Sequence, residues 1–536
     1  MSRDPTRSWL QAAVVCYRQG EYARAEALAR KLRSSLGPVP PVLEILGLAL
    51  VAQGRSSEAE SDLRVALRAF PESRELHFAL GVVASDRGAW DEALDQYRRV
   101  LDLDPDFPGA KFNHARALDE CHKTLEAIES YRDILESDRE NVDAAAHYAA
   151  LLEECNRPEE ARVWVTRVLE RRPRDVLGRL VAAQLALREQ RYSEALALLE
   201  ELDGEPLGLR NSVVVTGRRV RVLDALHRYE EAALAADHGH ARLKTLAAPA
   251  PTDDPYSPEA VEAMVRNRRL IARREAGWIP PEECPEIAFL VGFPRSGTTL
   301  LDRMLAVHSS VRVLEEENPW APFFRILGSR LESGRCDDVL GREGREVATR
   351  VARGLQAVAP PPGGFLLDKL PLNSIYVGWL ALLFPRARFV IAVRDPRDVV
   401  LSCWLQAFAP NVAMRQFWDL GTATGYYGQV MTVLRGWLDD LPPDRYRVVR
   451  YEDLVSEPAR ILEALCVFLG IDFRPGMIDP RSSARGVRLG TPSYDQVSRP
   501  LYGDARGRWR HYRARLDPHL GALRPWIRYW GYADSP

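Results

Sequence analysis

The chain has 536 residues, 46% of them hydrophobic and 28% charged, with a formal net charge of −2. That length supplies material for two domains, and a balance this close to neutral gives no bulk attraction to nucleic acid. No apolar run approaches the ~18 residues of a membrane span, and the Met1 to Pro5 start lacks a signal-peptide core. The seven cysteines are scattered without a CxxC pair, so a reducing cytoplasm and no metal site are expected.

In chain order, the first signal is a repeat. Gly20, Gly54 and Gly88 recur every 34 positions, Ala25, Ala59, Ala93, Ala127, Ala161 and Ala195 keep the same step, and Pro71, Pro105 and Pro173 fall in phase. His122, Asn156 and Gln190 fill the glycine slot in later copies, and an irregular seventh copy around Arg228 to Ala232 follows a step of 37. This period is the signature of tetratricopeptide repeats, each a pair of antiparallel helices whose apolar stripes form a core shared between units. Six to seven repeats are expected over residues 1–245, with a concave surface suited to a protein or peptide partner. Ala247 to Pro255 breaks the pattern, so residues 246–285 read as a linker with a basic bridging helix, Val261 to Ala276, ahead of a second domain over 286–536.

That domain opens with apolar Ile287 to Val291, which stops at Gly292, passes through a short polar loop and resumes as an amphipathic segment. A buried parallel strand, a phosphate loop and a helix read this way. Gly292-x4-Gly297-Thr298-Thr299 follows the P-loop frame, but Thr298 stands where a lysine would reach β- and γ-phosphates, which weakens a kinase or NTPase reading. Backbone N–H groups, the hydroxyls of Thr298 and Thr299 and the charge of Arg295 suit a 5′-phosphate bearing one further group. The bland alternative is a Gly-Pro turn.

Glu315, Glu316 and Glu317 form a run that composition alone reads as a solvated helix start. Lys369 is the single lysine after Lys244 in a chain that writes nearly all its basic residues as arginine, and it sits in Asp368-Lys369-Leu370-Pro371 at the end of an apolar run from Phe365. Arg388 to Val393 reads as another buried strand, followed by Arg394 and, eight residues on, Ser402; taken alone, Arg394–Asp395 or Arg397–Asp398 would be a surface pair. Tyr446 to Arg450 is strand-like and precedes Tyr451, while Ser374 to Phe384 and Pro458 to Leu469 have helical patterns. Alternation of this kind predicts a parallel sheet with helices on both faces.

The Pro294 to Thr299 loop and the Arg394 and Ser402 signature, in that order, resemble the sulfotransferases that use 3′-phosphoadenosine 5′-phosphosulfate (PAPS), with the closest match to the tyrosylprotein sulfotransferases. The resemblance implies an α + α/β chain, in which a tetratricopeptide α-solenoid precedes a P-loop-like parallel-sheet sulfotransferase domain, a pairing like that of bacterial repeat-containing sulfotransferases. It implies PAPS as co-substrate, no metal, and donor contacts from Arg295, Ser296, Gly297, Thr298, Thr299, Arg394, Ser402, Tyr451 and Arg508. Arg394 and Ser402 correspond to the pair that binds the 3′-phosphate, a task suited to a charged fork plus a hydroxyl at a strand's carboxyl end.

By the same resemblance Glu316 is the base that takes the acceptor proton, although Leu314 replaces the family's glycine and the choice between Glu315 and Glu316 stays open. Lys369 matches the lysine that offsets charge developing at the bridging oxygen. Thr491 to Pro500 resembles a loop that closes over the donor; Ser493 matches a serine that assists the transition state, and Arg508, before Trp509, stands for a phosphate-contacting lysine. The implied catalytic set is Glu316, Lys369, Ser493 and Arg295. Gln406 replaces a further arginine of the tyrosylprotein enzymes, so a protein tyrosine, a glycan and a small-molecule hydroxyl all remain open as acceptor. A repeat scaffold with a silent second domain is the remaining alternative.

Overall fold

The computed structural model describes residues 5–251, 254–271, 285–332, 342–361, 363–479 and 506–534. The chain divides into two compact units, Met1–Val181 and Ala182–Pro536. The first is a succession of helix pairs: α1 Pro5–Arg18 and α2 Tyr22–Leu36, α3 Pro40–Val51 and α4 Ser56–Ala69, α5 Arg74–Asp86 and α6 Trp90–Leu103, α7 Ala110–Glu120 and α8 Thr124–Ser137, α9 Val142–Glu154 and α10 Pro158–Arg171. The series continues through α11 Val176–Arg188, α12 Tyr192–Glu200, α13 Leu209–Ala225 and α14 Tyr229–Leu246.

Each pair turns on one left-handed residue. Gly20, Gly54 and Gly88 have φ of 78°, 73° and 72°, and His122, Asn156, Gln190 and His227 hold the same conformation at 58°, 58°, 60° and 60°. The later copies thus keep the turn after losing glycine, at a cost of about 1 kcal/mol or more each for a residue with a Cβ. The phased alanines Ala25, Ala59, Ala93, Ala127, Ala161 and Ala195 are all buried. Small residues also let paired helices approach: a Cβ on Gly81 would meet the Tyr97 ring at 2.5 Å.

The sequence reading has repeats over 1–245, a linker over 246–285 and a second domain over 286–536; the compact units divide between Val181 and Ala182, inside the repeat series. The last helices of the series bond to the C-terminal segment: Arg515 reaches Glu230 of α14 at 2.7 Å, and Arg508 reaches Asp224 of α13 at 2.9 Å. The expected bridging helix is α15, Pro258–Ile271, which starts earlier than predicted because Ser257 Oγ caps it by accepting from Ala260 N at 3.1 Å. Its apolar face, including Val261 and Met264, is buried, and α15 packs on the second unit's helices. Residues 272–276 of the expected helix, and 277–284 of the expected linker, lie outside the described residues.

The second unit is built on five parallel strands, β1 Ile287–Gly292, β2 Val311–Glu315, β3 Phe365–Lys369, β4 Arg388–Val393 and β5 Tyr446–Arg450, in the order β2-β3-β1-β4-β5. Helix α16 Thr298–Leu305 follows β1, and α17 Ala321–Glu332 and α18 Arg342–Ala357 separate β2 from β3. A 3-10 turn, Pro371–Tyr376, and α19 Val377–Leu383 lead to β4. Helices α20 Pro396–Leu405, α21 Val412–Arg415 and α22 Leu420–Asp440 lead to β5, and α23 Tyr451–Ser456, α24 Pro458–Leu469, α25 Arg513–Leu516 and α26 Leu520–Tyr529 follow it.

On one face Leu290, Leu367 and Val390 pack with Leu301, Met304 and Leu305 of α16 and Leu462, Leu465 and Leu469 of α24. On the other, Phe289 meets Phe384 and Phe389, and Trp437 of α22 donates to Ile375 O at 2.9 Å. After β1 the chain moves toward β3 and β2, and after β3 it crosses to β4. The crevice beyond the carboxyl ends of β1 and β4 is therefore the topological switch point, where open α/β sheets bind ligands.

Candidate active site

The loop after β1 is built around space for backbone. A Cβ on Gly292 would lie 2.4 Å from Ala392 O, and one on Gly297, at φ +98°, would lie 2.7 Å from Tyr451 Cδ2. Arg295, a non-glycine residue, also holds a left-handed φ of 69°, the strain that clusters at ligand-binding turns. Ser296, Thr298 and Thr299 are buried, and Ser296 Oγ has no hydrogen-bond partner among the described residues. Helix α16 starts at Thr298, so its first-turn N–H groups, which have no intrahelical acceptor, face the loop.

The second signature meets the first. Arg295 Nε donates to Ser402 Oγ at 3.0 Å, and Arg394 Nη1 donates to Arg295 O at 3.4 Å. The Arg394 guanidinium lies 5.0 Å from the centroid of the Tyr451 ring, so Tyr451 packs on both Gly297 and Arg394. The expected alternative of surface pairs between sequence neighbours is replaced by a buried, crossed arrangement: Arg397 holds Asp395 at 2.7 Å, and Arg394 faces Asp398 at 3.9 Å. Asp395 also caps α20 by accepting from Arg397 N, and Asp398 accepts from Gly507 N at 2.7 Å and Trp509 N at 2.9 Å.

A third group forms where β2 and β3 end side by side, with Glu315 in register with Lys369. The glutamate run is thus a strand end and not a helix start. Lys369 Nζ donates to Glu316 Oε1 at 2.9 Å and lies 3.4 Å from Asp302 Oδ2 and 3.7 Å from Glu315 Oε1. Arg303 bridges Asp302 Oδ1 at 2.8 Å and Glu315 Oε2 at 3.2 Å. Lys369 is completely buried, while the Glu316 side chain keeps 39% exposure. Glu316 has φ 54° and its N–H donates to Lys369 O, so the chain turns sharply at this carboxylate.

Burial alone would lower the pKa of Lys369, but Asp302, Glu316 and Glu315 together hold it above the ordinary ammonium value. Burial raises Asp302 and Glu315 above the usual carboxylate range, against the pull of Lys369 and Arg303. Asp302 and Arg303 escaped the sequence reading; the available signal was two adjacent charges in an eight-residue helix that is otherwise mostly apolar. Ser493 and the whole of its loop lie outside the described residues. Arg508 turns its guanidinium to Asp224, which also accepts from Tyr512 OH at 2.6 Å. Among the described residues no group of three or more His, Cys, Asp or Glu is arranged to hold a metal ion, and no helix is long and apolar enough to cross a membrane.

Residues 285–475 match the model of the sulfotransferase family, and residues 46–108 and 120–185 match tetratricopeptide-repeat models. The chain is 26% identical over 288 residues to an uncharacterized protein of Aquifex aeolicus, covering 51% of this chain and 35% of that one. It is 29% identical over 244 residues to protein-tyrosine sulfotransferase 1 of Danio rerio, covering 42% of this chain and 65% of that one. To the nodulation protein NoeE of Sinorhizobium fredii it is 30% identical over 214 residues, covering 35% of this chain and 51% of that one. The matches therefore span between about a third and two thirds of these relatives. The chain carries a sulfotransferase-family domain behind a series of tetratricopeptide repeats.

Proposed function

We propose that the chain transfers the sulfuryl group of PAPS to an acceptor hydroxyl, with a tyrosine of a protein or peptide as the acceptor. The observation that carries this reading is the meeting of a left-handed phosphate loop with a buried arginine–serine pair across β1 and β4. Its residues fit such a donor: Ser296 Oγ is buried without a partner among the described residues, and the Arg295–Ser402 and Arg394–Arg295 bonds bring both arginines to the loop. Bound there, PAPS would supply an activated sulfuryl group with a phosphate leaving group.

In this mechanism Arg295, Ser296, Gly297, Thr298 and Thr299 hold the 5′-phosphate through the loop and the start of α16. Arg394 and Ser402 hold the 3′-phosphate, with Tyr451 backing the Arg394 guanidinium. Lys369, kept protonated by three carboxylates, offsets negative charge developing on the leaving oxygen. Glu316, the more exposed carboxylate, takes the acceptor proton, while Glu315, clamped by Arg303 and 17% exposed, orients Lys369. Ser493 assists the transition state, and Arg508 supports the donor's phosphates indirectly, by anchoring the segment whose N–H groups hold Asp398. The repeats recruit the acceptor protein. The protein works in the cytoplasm, a reading supported by the thiols of Cys16, Cys121, Cys403 and Cys466, which form no disulfide among the described residues.

Gln406 favours a second reading, a glycan or small-molecule acceptor. It stands where an arginine is expected of the tyrosylprotein enzymes and donates to Ala407 O at 3.1 Å. Titration of the full chain with adenosine 3′,5′-bisphosphate and with ATP tests the donor: the bisphosphate binds more tightly. Tighter ATP binding would return the domain to the kinase or NTPase class.

A further inference from the structure

The side chain of Arg508 is held by a residue of the repeat series. Arg508 Nε donates to Asp224 Oδ1 at 2.9 Å, and Tyr512 OH donates to the same oxygen at 2.6 Å. Asp224 lies next to the last residue of α13, 284 positions away in sequence. Around this bond α14 adds a second attachment: Tyr229 stacks on His511 with ring centroids 4.4 Å apart, and Arg515 reaches Glu230 at 2.7 Å and Asp237 at 3.2 Å. The attached segment begins at Gly507, whose N–H, with that of Trp509, donates to Asp398. The Arg397 guanidinium covers the Trp509 ring at 4.1 Å, and Asp398, 1% exposed, faces Arg394.

We propose that Asp224 is a positioning residue for the donor's 3′-phosphate: by clamping Arg508 it holds the Gly507 and Trp509 N–H groups on Asp398, which sets the place of Arg394. The inference rests on the reading of Arg394 as a 3′-phosphate ligand. The physical logic is that of a group orienting a ligand-binding side chain from behind. A carboxylate fixed by two backbone donors keeps one face free for a guanidinium, and loss of the clamp lets both donors drift with the segment. In this arrangement the helix pair α13–α14 is part of the donor site and not only a partner-binding surface.

The test is calorimetric titration of the full chain with adenosine 3′,5′-bisphosphate and adenosine 5′-phosphate, for native protein and Asp224→Ala, Arg508→Ala and the double variant. The native chain favours the bisphosphate. Each single variant binds it about tenfold more weakly, the lower end of the range for partners behind metal-binding side chains. The double variant is no weaker than either single one, and affinity for the 5′-phosphate stays unchanged. In turnover by Asp224→Ala, the donor KM rises while kcat at saturating donor is kept. Native affinity in Asp224→Ala overturns the proposal, as does an equal loss for both nucleotides with a lowered melting temperature, the mark of a purely structural clamp. A much larger loss in Arg508→Ala than in Asp224→Ala would mean that Arg508 touches phosphate directly, and would also overturn it. If the native chain does not favour the bisphosphate, the donor reading itself fails and the proposal falls with it.

Discussion

Asp368 is completely buried at the end of β3, one residue before Lys369. Its Oδ2 accepts from Trp320 Nε1 at 3.1 Å, and Oδ1 has no hydrogen-bond partner among the described residues. Burial pushes its pKa from 3.8 up to about 7. The folded state then holds a proton that the unfolded chain has released, so stability falls as pH rises through the window between these values. At roughly 1.4 kcal/mol per pH unit the full loss is about 4 kcal/mol, and about half of it falls between pH 5.5 and 8.5. Asp368→Asn keeps an acceptor for Trp320 and removes the titration, so it gains about 2 kcal/mol on the native chain across that interval. For a unit spanning 182–536 this is a relative rise in melting temperature of roughly 3 °C. Paired melting curves at both pH values measure it, because every other titrating group is common to the two proteins. A difference between native and variant that stays constant from pH 5.5 to 8.5 would refute the reasoning.

Lys369→Met removes the cation shared by Asp302, Glu315 and Glu316 and leaves Arg303 paired with Asp302 and Glu315; stability at pH 8 drops by about 3–5 kcal/mol and transfer is lost. The deficit shrinks by pH 5.5 as Asp302 and Glu315, which burial already holds above the usual carboxylate range, take up protons, and a variant as stable as native at pH 8 contradicts the cluster. Gly297→Ala forces a Cβ into the Tyr451 ring at φ +98°, strain of about 1–3 kcal/mol, and nucleotide titration should give at least a tenfold loss of affinity; unchanged binding is the contrary result. A chain of residues 182–536 purifies as a monodisperse species, whereas one begun at 285 loses α15, exposes the surfaces that bury Val261 and Met264 and aggregates. Size-exclusion chromatography separates the two outcomes, and equal behaviour would remove α12–α15 from the second unit.

Local signals in the sequence carried the repeat turns and the loop after β1. The turn every 34 residues is a backbone requirement, so it survives at His122, Asn156 and Gln190 after glycine is gone, and Gly292 and Gly297 mark places where a side chain would collide. The strands were legible for a related reason: β1, buried on both faces, reads as one apolar run. Strand β2 was not, because at the sheet edge only Val311 and Leu314 of it are buried and it ends in charge, which in sequence looks like a solvated run.

What the sequence could not supply was pairing at a distance. Asp302 meets Lys369 only because α16 packs under β3, and Asp224 meets Arg508 only because α13 folds against the C-terminal segment. Sequence neighbours also misled: Arg394 and Asp395 are adjacent, yet Arg394 faces Asp398, one helical turn on, while Asp395 holds Arg397.

The measurement that bears most directly on the central claim is transfer of labelled sulfate from PAPS into cell extract fractionated into protein, glycan and small molecules, with native chain and Glu316→Ala side by side. The account predicts label in the protein fraction with the native chain, none with Glu316→Ala, and nearly equal binding of adenosine 3′,5′-bisphosphate by both. Equal labelling by the two proteins, or no enzyme-dependent label in any fraction, would contradict it.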